Sequence, residues 1–281
     1  MDMNLLRRTR SILHANRLLL RRRLGQNFLI DEEVMERMTS YADLNLEDTV
    51  LDIGAGLGFL TEVLAERCRR VVAVEVDPKL VRILKRRLRN RRNITILEGN
   101  ILKIDLPPFD KVVATPPYSI STPLLLWLLE RRPECSVLTF QREFAERLTA
   151  PVGSREYGIL AITAYYKAHI DLLDLVSRDS FWPQPEVESR IVRLKPKDPP
   201  FKVEDESFFF RMVKALFTQR NKKVRNAVKP FLASLGIPRD KAVEFMDSVP
   251  FHDKRVFTLP PEDLGMISND LLRRLRGEGL L

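Results

Sequence analysis

The sequence predicts an α/β protein with a mostly parallel sheet, followed by a smaller helical domain. Between residues 49 and 194, short apolar runs of strand length alternate with segments of helical apolar spacing. Beyond the proline-rich linker at 196–200, only helical spacing remains. Strands that alternate with helices favour parallel pairing, because a crossover helix returns the chain to the same edge of the sheet. We therefore expect a Rossmann-like domain of seven strands at 31–195, a helical domain at 201–281 and a basic N-terminal segment at 1–30.

A glycine-rich turn follows the first predicted strand. This strand begins at Thr49, and Gly54, Gly56 and Gly58 come directly after it. Glycines at such a turn let bare backbone approach a ligand, whose polar groups meet free amides at the start of the next helix. The dinucleotide fingerprint would place its third glycine where Phe59 stands, so the spacing disfavours NAD. The chain also lacks a Gly-Lys-Ser/Thr phosphate loop, so the turn predicts a nucleotide-type pocket that is built for neither NAD nor ATP.

The second predicted strand, 71–76, ends in acidic residues. Glu75 lies about 20 residues beyond the glycines, where a carboxylate can accept hydrogen bonds from ribose hydroxyls. Asp77 as N-cap, Pro78 in the first helical position and leucines at 80, 84 and 88 then predict a helix. The third strand, 93–97, is followed by Asn100.

The fourth predicted strand runs from Asp110 into the tetrapeptide Thr115-Pro116-Pro117-Tyr118. Two consecutive prolines fix the backbone φ angles and lack amide donors, so the carbonyls of Thr115 and Pro116 stay free to accept hydrogen bonds. Rigid acceptors beside the flat ring of Tyr118 suit the exocyclic amine of a base that has been turned out of its stack. In isolation such a tetrapeptide is more often a proline-rich turn at the end of a strand. The upstream glycine turn favours the functional interpretation.

These four strand ends predict one shared pocket. In an open parallel sheet, ligands bind at the carboxyl ends of the strands, near the switch in strand order. Glu75 and Asp52 would make this pocket acidic, and no phosphate-binding lysine accompanies them. An adenosine that carries a cationic sulfonium suits such a pocket, so S-adenosylmethionine is the predicted cofactor.

The rest of the chain supplies three further strands and the helices of the second domain. We expect strands at 135–140, 168–176 and 191–194, the last two antiparallel to one another, while periodicity leaves residues 159–166 open between a buried helix and a strand. Helical spacing recurs at 206–217, 222–235, 239–245 and 260–276.

Six segments of the chain resemble a known family. In order along the sequence they are Leu24-Gly-Gln-Asn-Phe-Leu-Ile, the glycine turn, the TPPY tetrapeptide, Gln141-Arg-Glu-Phe-Ala-Glu-Arg-Leu, Phe181-Trp-Pro-Gln-Pro-Glu-Val-Glu-Ser and Phe217-Thr-Gln-Arg-Asn-Lys-Lys-Val-Arg-Asn. Together they resemble the KsgA/Dim1 small-subunit rRNA adenine dimethyltransferases over roughly residues 24–230. The resemblance implies S-adenosylmethionine-dependent dimethylation of the N6 amines of two adjacent adenosines near the 3′ end of that rRNA, within ribosome biogenesis. The related erythromycin-resistance rRNA methyltransferases match the last segment and the basic C-terminal part less well.

The resemblance also implies roles for individual residues. Those that would contact the cofactor are Asn27, Leu29, Gly54, Gly56, Glu75, Asn100 and Thr115. Those that would act on the target adenine are Thr115, Pro116, Tyr118 and Phe181, with the aromatic rings clamping the base. Without the family resemblance, Phe181 is better explained as a core aromatic residue.

The chain departs from the family pattern at two of these positions. The family usually has Asp where this chain has Asn100, and Asn where it has Thr115. An amide oxygen still accepts a hydrogen bond from the cofactor's adenine, so the first departure should cost little. A threonine hydroxyl is shorter than an asparagine amide and must also place its own proton. We therefore expect reduced or differently tuned catalysis at Thr115, by direct in-line displacement without a covalent enzyme intermediate.

The basic charge indicates a polyanionic partner. The formal net charge is +9 and the isoelectric point about 9.7. Two clusters are the predicted rRNA contacts: Arg21, Arg22 and Arg23 in the N-terminal segment, and Arg220, Lys222, Lys223 and Arg225. The basic residues of 85–92 alternate with an apolar stripe, which is typical of a solvated helix face.

Several function classes are disfavoured. The longest apolar run, 123–129, is too short to span a bilayer, and Cys68 and Cys135 form no metal-binding or disulfide pattern. We expect a cytoplasmic monomer whose partner is rRNA within the immature small subunit, although the arginine-rich N-terminus also has the composition of a mitochondrial transit peptide. Two other functions stay open: a subunit assembly factor with weak or no methyltransferase activity, and a DNA adenine methyltransferase.

Overall fold

The computed structural model describes residues 3–18 and 25–281. They form two compact units: the first comprises the described residues up to Ala145 and His169–Pro196, and the second comprises Glu146–Ala168 and Lys197–Leu281. The helices are α1 (Met3–Ala15), α2 (Glu32–Tyr41), α3 (Phe59–Ala65), α4 (Pro78–Arg87), α5 (Ser121–Arg131), α6 (Arg142–Arg147), α7 (Ile159–Lys167), α8 (Glu206–Phe217), α9 (Val224–Ser234), α10 (Arg239–Ser248) and α11 (Pro261–Gly277). The strands are β1 (Phe28–Leu29), β2 (Thr49–Ile53), β3 (Arg70–Glu75), β4 (Ile94–Glu98), β5 (Lys111–Ala114), β6 (Cys135–Gln141), β7 (Ala168–Val176), β8 (Phe181–Trp182) and β9 (Ser189–Pro196).

A seven-stranded sheet forms the centre of the first unit, with strand order β4-β3-β2-β5-β6-β9-β7. The five strands from β4 to β6 in this order pair in parallel, and β9 pairs antiparallel with β6. The predicted mostly parallel sheet is therefore confirmed, and the last two strands are hydrogen-bonded neighbours as expected. The strand order reverses beside β2, which lies between β3 and β5.

Local signals explain why these elements form. Every residue of β2 and β5 is buried, as expected for central strands of a parallel sheet that is covered on both faces. Helix α4 begins where the sequence predicts, because Asp77 caps it by accepting a hydrogen bond from the Lys79 amide and Pro78 occupies its first turn. Leu80 and Leu84 are buried on its inner face.

Helix α1 is an integral part of the first unit. Leu5 and Leu13 are buried in its core, whereas the arginines at positions 7, 8 and 10 are exposed. Arg8 lies 3.8 Å from the carboxylate of Glu62 in α3. The predicted basic segment at 1–30 therefore includes a packed helix, because its dense charges conceal an apolar stripe at helical spacing.

Two short strands, β1 and β8, form a separate antiparallel pair. Phe28 lies opposite Trp182, and Leu29 lies opposite Phe181. The pair joins the segment before α2 to the segment before β9, although these are far apart in sequence. It brings two of the family-like segments to one place.

Helix α7 settles the ambiguous run at 159–166 and belongs to the second unit. Ile162 and Tyr166 lie in one core with Phe209 of α8, and the Tyr166 and Phe209 ring centroids are 5.6 Å apart. The predicted domain at 31–195 therefore has to be corrected, because it includes the stretch 146–168. Sequence order hides this assignment, since the helix lies between two strands of the sheet.

The predicted C-terminal helices are present with shifted ends. Helix α8 has the predicted bounds, α9 begins at Val224 and α10 extends to Ser248. Asp205 caps α8 by accepting a hydrogen bond from the Phe208 amide at 2.8 Å. Among the helices in the described part of the chain, none combines the length and apolar character needed to cross a membrane.

Candidate active site

The carboxyl ends of β2, β3, β4 and β5 open on one cavity of about 220 Å³. Gly54 follows β2, Glu75 ends β3, Asn100 follows β4 and Thr115 follows β5, and all four line the cavity. The convergence that the sequence predicts is therefore confirmed. It lies at the carboxyl edge beside the reversal in strand order, where ligands of open α/β sheets bind.

The glycine turn forms one wall of this cavity. Gly54 and Gly56 have φ angles of 76° and 57°, in the left-handed region that favours glycine. A Cβ on Gly54 would lie 3.3 Å from Pro117, and a Cβ on Gly56 would lie 3.0 Å from the ring of Phe28. The turn is thus packed against the TPPY loop on one side and β1 on the other, with bare backbone facing the cavity.

Glu75 is held in place by backbone amides. Its Oε1 accepts from the amides of Val76 at 2.8 Å and Asp77 at 2.9 Å, and its Oε2 accepts from the Gly56 amide at 2.9 Å. Burial raises the pKa of Glu75, and these amide hydrogen bonds oppose the rise. A carboxylate has about four acceptor positions, so one on Oε2 is left for a ligand hydroxyl.

Asp52 does not line the cavity, although the sequence suggests a second acid there. It is 1% exposed, and one of its oxygens accepts a hydrogen bond from the Thr61 hydroxyl at 2.6 Å. Burial raises the pKa of Asp52 to about 7, and the charge of Glu75 adds to the rise while the Thr61 hydrogen bond opposes it. The hydrogen bond with Thr61 therefore joins β2 to α3.

The TPPY loop presents free acceptors to the cavity. Within the described residues, no donor forms a hydrogen bond with the carbonyl of Thr115 or of Pro116, whereas the Pro117 carbonyl accepts from the Ile120 amide at 3.2 Å. Thr115, Pro116 and Tyr118 all line the cavity. This agrees with the free carbonyls that the sequence predicts.

Tyr118 is fixed by its hydroxyl group. That hydroxyl forms a hydrogen bond with the hydroxyl of Ser189, the buried first residue of β9. Burial raises the pKa of Tyr118, and the Ser189 contact opposes the rise. The phenol is therefore neutral at physiological pH, and the Ser189 contact holds its ring at the cavity.

Two other predicted site residues are placed differently. Phe181 touches the cavity but is only 2% exposed and belongs to the apolar core, so the core interpretation of this ring describes the structure better than a clamp does. Leu29 is not among the lining residues, and its side chain packs in the same core. Asn27 lines the cavity as expected.

Asn100 has a local hydrogen bond that the sequence does not predict. Its Oδ1 accepts from the Leu102 amide at 3.0 Å, which fixes the turn after β4. This amide oxygen, which was expected to accept a hydrogen bond from an adenine amine, therefore already accepts one. Its second lone pair is left for a ligand.

The predicted rRNA contacts are only partly available. Arg21, Arg22 and Arg23 lie outside the described residues. Arg220 donates to the carbonyls of Ser154 and Arg155, both at 2.7 Å, and Lys223 and Arg225 lie 2.8 Å and 3.9 Å from the carboxylate of Asp253. Lys222 is exposed and makes no ion pair with a described residue.

Sequence reasoning missed three groups at this site. Gly25 and Gln26 line the cavity, and the Gly25 backbone packs against Pro117. Ser189 holds Tyr118, and its place at the end of a family-like segment is a usable signal. Thr139 of β6 also lines the cavity, but it lies within an ordinary strand pattern and gave no signal.

These residues suit S-adenosylmethionine. The described lining offers a carboxylate, backbone amides and free carbonyls, and includes no lysine or arginine that would serve a polyphosphate. Nor do the described residues contain a cluster of histidine, cysteine and acidic side chains that could hold a metal ion. The donor set thus fits a cationic, adenosine-bearing molecule.

Comparison with known proteins agrees with this chemistry. The family model described as "Ribosomal RNA adenine dimethylase" matches residues 17–235. A probable ribosomal RNA small subunit methyltransferase A from Methanosarcina acetivorans is 43% identical, over 88% of this chain and 91% of the relative. Its counterpart from Thermococcus kodakarensis is 41% identical over 90% and 91% of the two chains.

Solved structures show the same relationship. A dimethyladenosine transferase from Plasmodium falciparum has a TM-score of 0.76 and 27% identity, over 89% of this chain and 97% of that one. The 23S rRNA methyltransferase ErmE has a TM-score of 0.65 and 26% identity, over 86% and 99% of the two chains. The chain therefore belongs to the ribosomal RNA adenine dimethylase family.

Proposed function

We propose that the protein is an S-adenosylmethionine-dependent rRNA adenine N6-dimethyltransferase that modifies two adjacent adenosines near the 3′ end of small-subunit rRNA. The observation that carries this is the TPPY loop, whose free acceptors line a cavity that also contains Glu75 and the glycine turn. Such a cavity can hold an adenosine-bearing methyl donor and a purine amine side by side.

The cofactor would be held by residues from four strand ends. The free acceptor position on Glu75 suits a ribose hydroxyl, and by the family resemblance Asn100 would hold the adenine while Asn27 and the Gly54 backbone would hold the methionine part. When bound, S-adenosylmethionine supplies an electrophilic methyl group on a sulfonium. Glu75 needs no reorientation for this task, because three amides already fix its carboxylate.

The target amine would be held by the TPPY loop. The lone pair of an exocyclic adenine amine is delocalised into the ring, which makes the nitrogen a weak nucleophile. Thr115 and Pro116 would each accept a hydrogen bond from this amine and hold its N–H bonds out of the plane of the ring. The lone pair is then concentrated on nitrogen as the bond to the methyl carbon forms. Stacking on Tyr118 positions the base and contributes about 1–3 kcal/mol.

We further propose that the substrate is the rRNA within an immature small subunit, and that the enzyme acts as a cytoplasmic monomer. The net charge of +9 supports binding to a polyanion. A structured subunit presents adjacent adenosines in one fixed orientation.

The direct test is methyl transfer to small subunits that lack the modification. Wild-type protein with labelled S-adenosylmethionine should produce N6,N6-dimethyladenosine, detected by mass spectrometry of digested rRNA, and duplex DNA should not compete. Tyr118→Ala should lower turnover about 5- to 150-fold, as the loss of about 1–3 kcal/mol of stacking implies. Tight subunit binding without methyl transfer would instead indicate an assembly factor, and monomethyladenosine alone would refute dimethylation.

A further inference from the structure

Thr139 lies in the cavity wall and has no role in the function proposed above. Its side chain is 0% exposed, it lines the cavity, and its Oγ1 has no hydrogen-bond partner among the described residues. A buried hydroxyl without a partner is unfavourable, and native structures rarely keep one. Its position at a ligand cavity points to a partner that arrives with the ligand or with water.

The strand register relates Thr139 to Thr115. Strands β5 and β6 pair in parallel, with Ala114 next to Leu138. Thr115 directly follows Ala114 and Thr139 directly follows Leu138, so the same register continued by one residue would set Thr115 next to Thr139. Paired residues on neighbouring strands point to the same face of a sheet.

The antiparallel pairing on the other side of β6 identifies that face. Thr139 is opposite Ile191, and Gln141 is opposite Ser189. Ser189 and Ile191 are two residues apart and so share a face, and Ser189 contacts the hydroxyl of Tyr118 on it. Thr139 therefore lies on the face of the sheet that the TPPY loop covers.

Thr115 needs such a neighbour, because it is a hydroxyl acting as an acceptor. To accept a hydrogen bond from the target amine, its own proton must be directed elsewhere. Three other polar side chains of the cavity already have partners: Tyr118 contacts Ser189, Asn100 Oδ1 accepts from the Leu102 amide, and Glu75 accepts from three amides. Among the side chains that line the cavity, Thr139 carries the buried hydroxyl for which the described residues supply no partner.

We propose that Thr139 is a positioning residue for methyl transfer, which accepts the proton of the Thr115 hydroxyl through one water molecule when the ligand is bound. This leaves a Thr115 lone pair aimed at the substrate amine. Thr139 stays a hydroxyl throughout and can donate its own proton to water in the cavity. The inference rests on the proposed methyltransferase function, and it explains how a hydroxyl can replace an asparagine amide, whose oxygen carries no proton.

The test compares Thr139→Val with Thr139→Ser, each in the wild-type and the Thr115→Asn background. In the wild-type background, Thr139→Val should lower kcat about tenfold, as the loss of one hydrogen bond implies, with KM for the subunit within about twofold. Thr139→Ser should recover most of that loss. With Asn at position 115 the acceptor has no proton to place, so Thr139→Val should change kcat less than about twofold.

Thermal unfolding without ligand gives an independent readout. Thr139→Val replaces an unpartnered hydroxyl by a methyl group of the same shape, so the melting temperature should stay the same or rise. Equal kcat for Thr139→Val and wild type, an equal loss in both backgrounds, or a lowered melting temperature would each overturn the role of Thr139. An inactive wild type would instead refute the methyltransferase function itself.

Discussion

At the level of single residues, the buried carboxyl groups of Asp52 and Glu75 differ in the hydrogen bonds that stabilise them. Glu75 has three backbone amide donors, which favour its ionised form, whereas Asp52 has one neutral hydroxyl from Thr61. Burial therefore dominates at Asp52 and raises its pKa to about 7. An acid that is neutral when folded and ionised when unfolded makes stability depend on pH.

Replacing Asp52 should remove this dependence. Because the folded protein binds the Asp52 proton more tightly than the unfolded chain does, the contribution of Asp52 to stability falls as pH rises from about 4 to about 7. Between pH 5 and pH 8, the free energy of unfolding of the wild type should therefore fall by roughly 2–3 kcal/mol more than that of Asp52→Asn. Urea denaturation at both pH values measures the difference.

Glu66→Gln is the matched control for this experiment. Glu66 is an exposed carboxylate 2.7 Å from Arg91, so its replacement removes a charge without touching a buried site. The same pH dependence in wild type and Asp52→Asn would contradict the assignment.

Sequence patterns predicted the residues at strand ends better than their partners. Glu75, Asn100 and Thr115 were expected to meet, because parallel strands end at one edge of a sheet. The contacts of Asp52 with Thr61 and of Tyr118 with Ser189 could not be predicted, since they depend on packing between segments whose separation no local pattern encodes. For Phe181 the motif suggested a ring that clamps the base, whereas its neighbours in the structure bury it in the core.

At the level of structural elements, the glycine turn is held between β1 and the TPPY loop. Gly56 combines a φ of 57° with a closest approach of 3.0 Å between an added Cβ and the Phe28 ring. A side chain at this position would therefore strain the backbone and displace β1 as well.

Gly56→Ala should weaken S-adenosylmethionine binding by at least tenfold and lower the melting temperature. Gly153→Ala is the matched control, because Gly153 has a φ of 85° but no atom within 4 Å of an added Cβ. It should carry only the backbone penalty, about 1 kcal/mol, and leave cofactor affinity unchanged. Calorimetric titration measures the affinities, and equal effects of the two substitutions would show that crowding against Phe28 is unimportant.

Element boundaries were least predictable where charge or chain order was misleading. Helix α1 has the composition of a basic tail, and its apolar stripe becomes evident only when it packs on α3. Helix α7 lies between β6 and β7 of the sheet in chain order, yet its aromatic contacts assign it to the second unit. The amino-acid composition of a helix therefore indicates its exposed charges more readily than the residues against which it packs.

At the level of the whole molecule, the positive charge favours binding of the chain to rRNA phosphates. Many basic side chains are neutralised within the protein, as Lys223 is by Asp253. Lys222 is different, because it is exposed and unpaired among the described residues. The count of 47 lysines and arginines therefore overstates the number of contacts that rRNA phosphates can make.

Small-subunit binding should weaken as salt concentration rises, and the slope of log K against log salt reports the number of phosphates contacted. Lys222→Gln should make this slope shallower by about 0.7–0.9, the value for one phosphate contact. Lys241→Gln is the control, because Lys241 is already paired with Glu244 at 3.3 Å and Glu278 at 3.0 Å and should leave the slope unchanged. Filter binding at several salt concentrations measures both, and an unchanged slope for Lys222→Gln would remove this residue from the interface.

The pairing of β1 with β8 has a consequence for synthesis of the chain. The cavity wall formed by Phe28 depends on a partner strand at Phe181–Trp182, which the ribosome makes after most of the sheet. A nascent or truncated chain that stops before this point carries the glycine turn and the TPPY loop but cannot complete the wall. Such fragments should therefore bind the methyl donor more weakly than the full chain does.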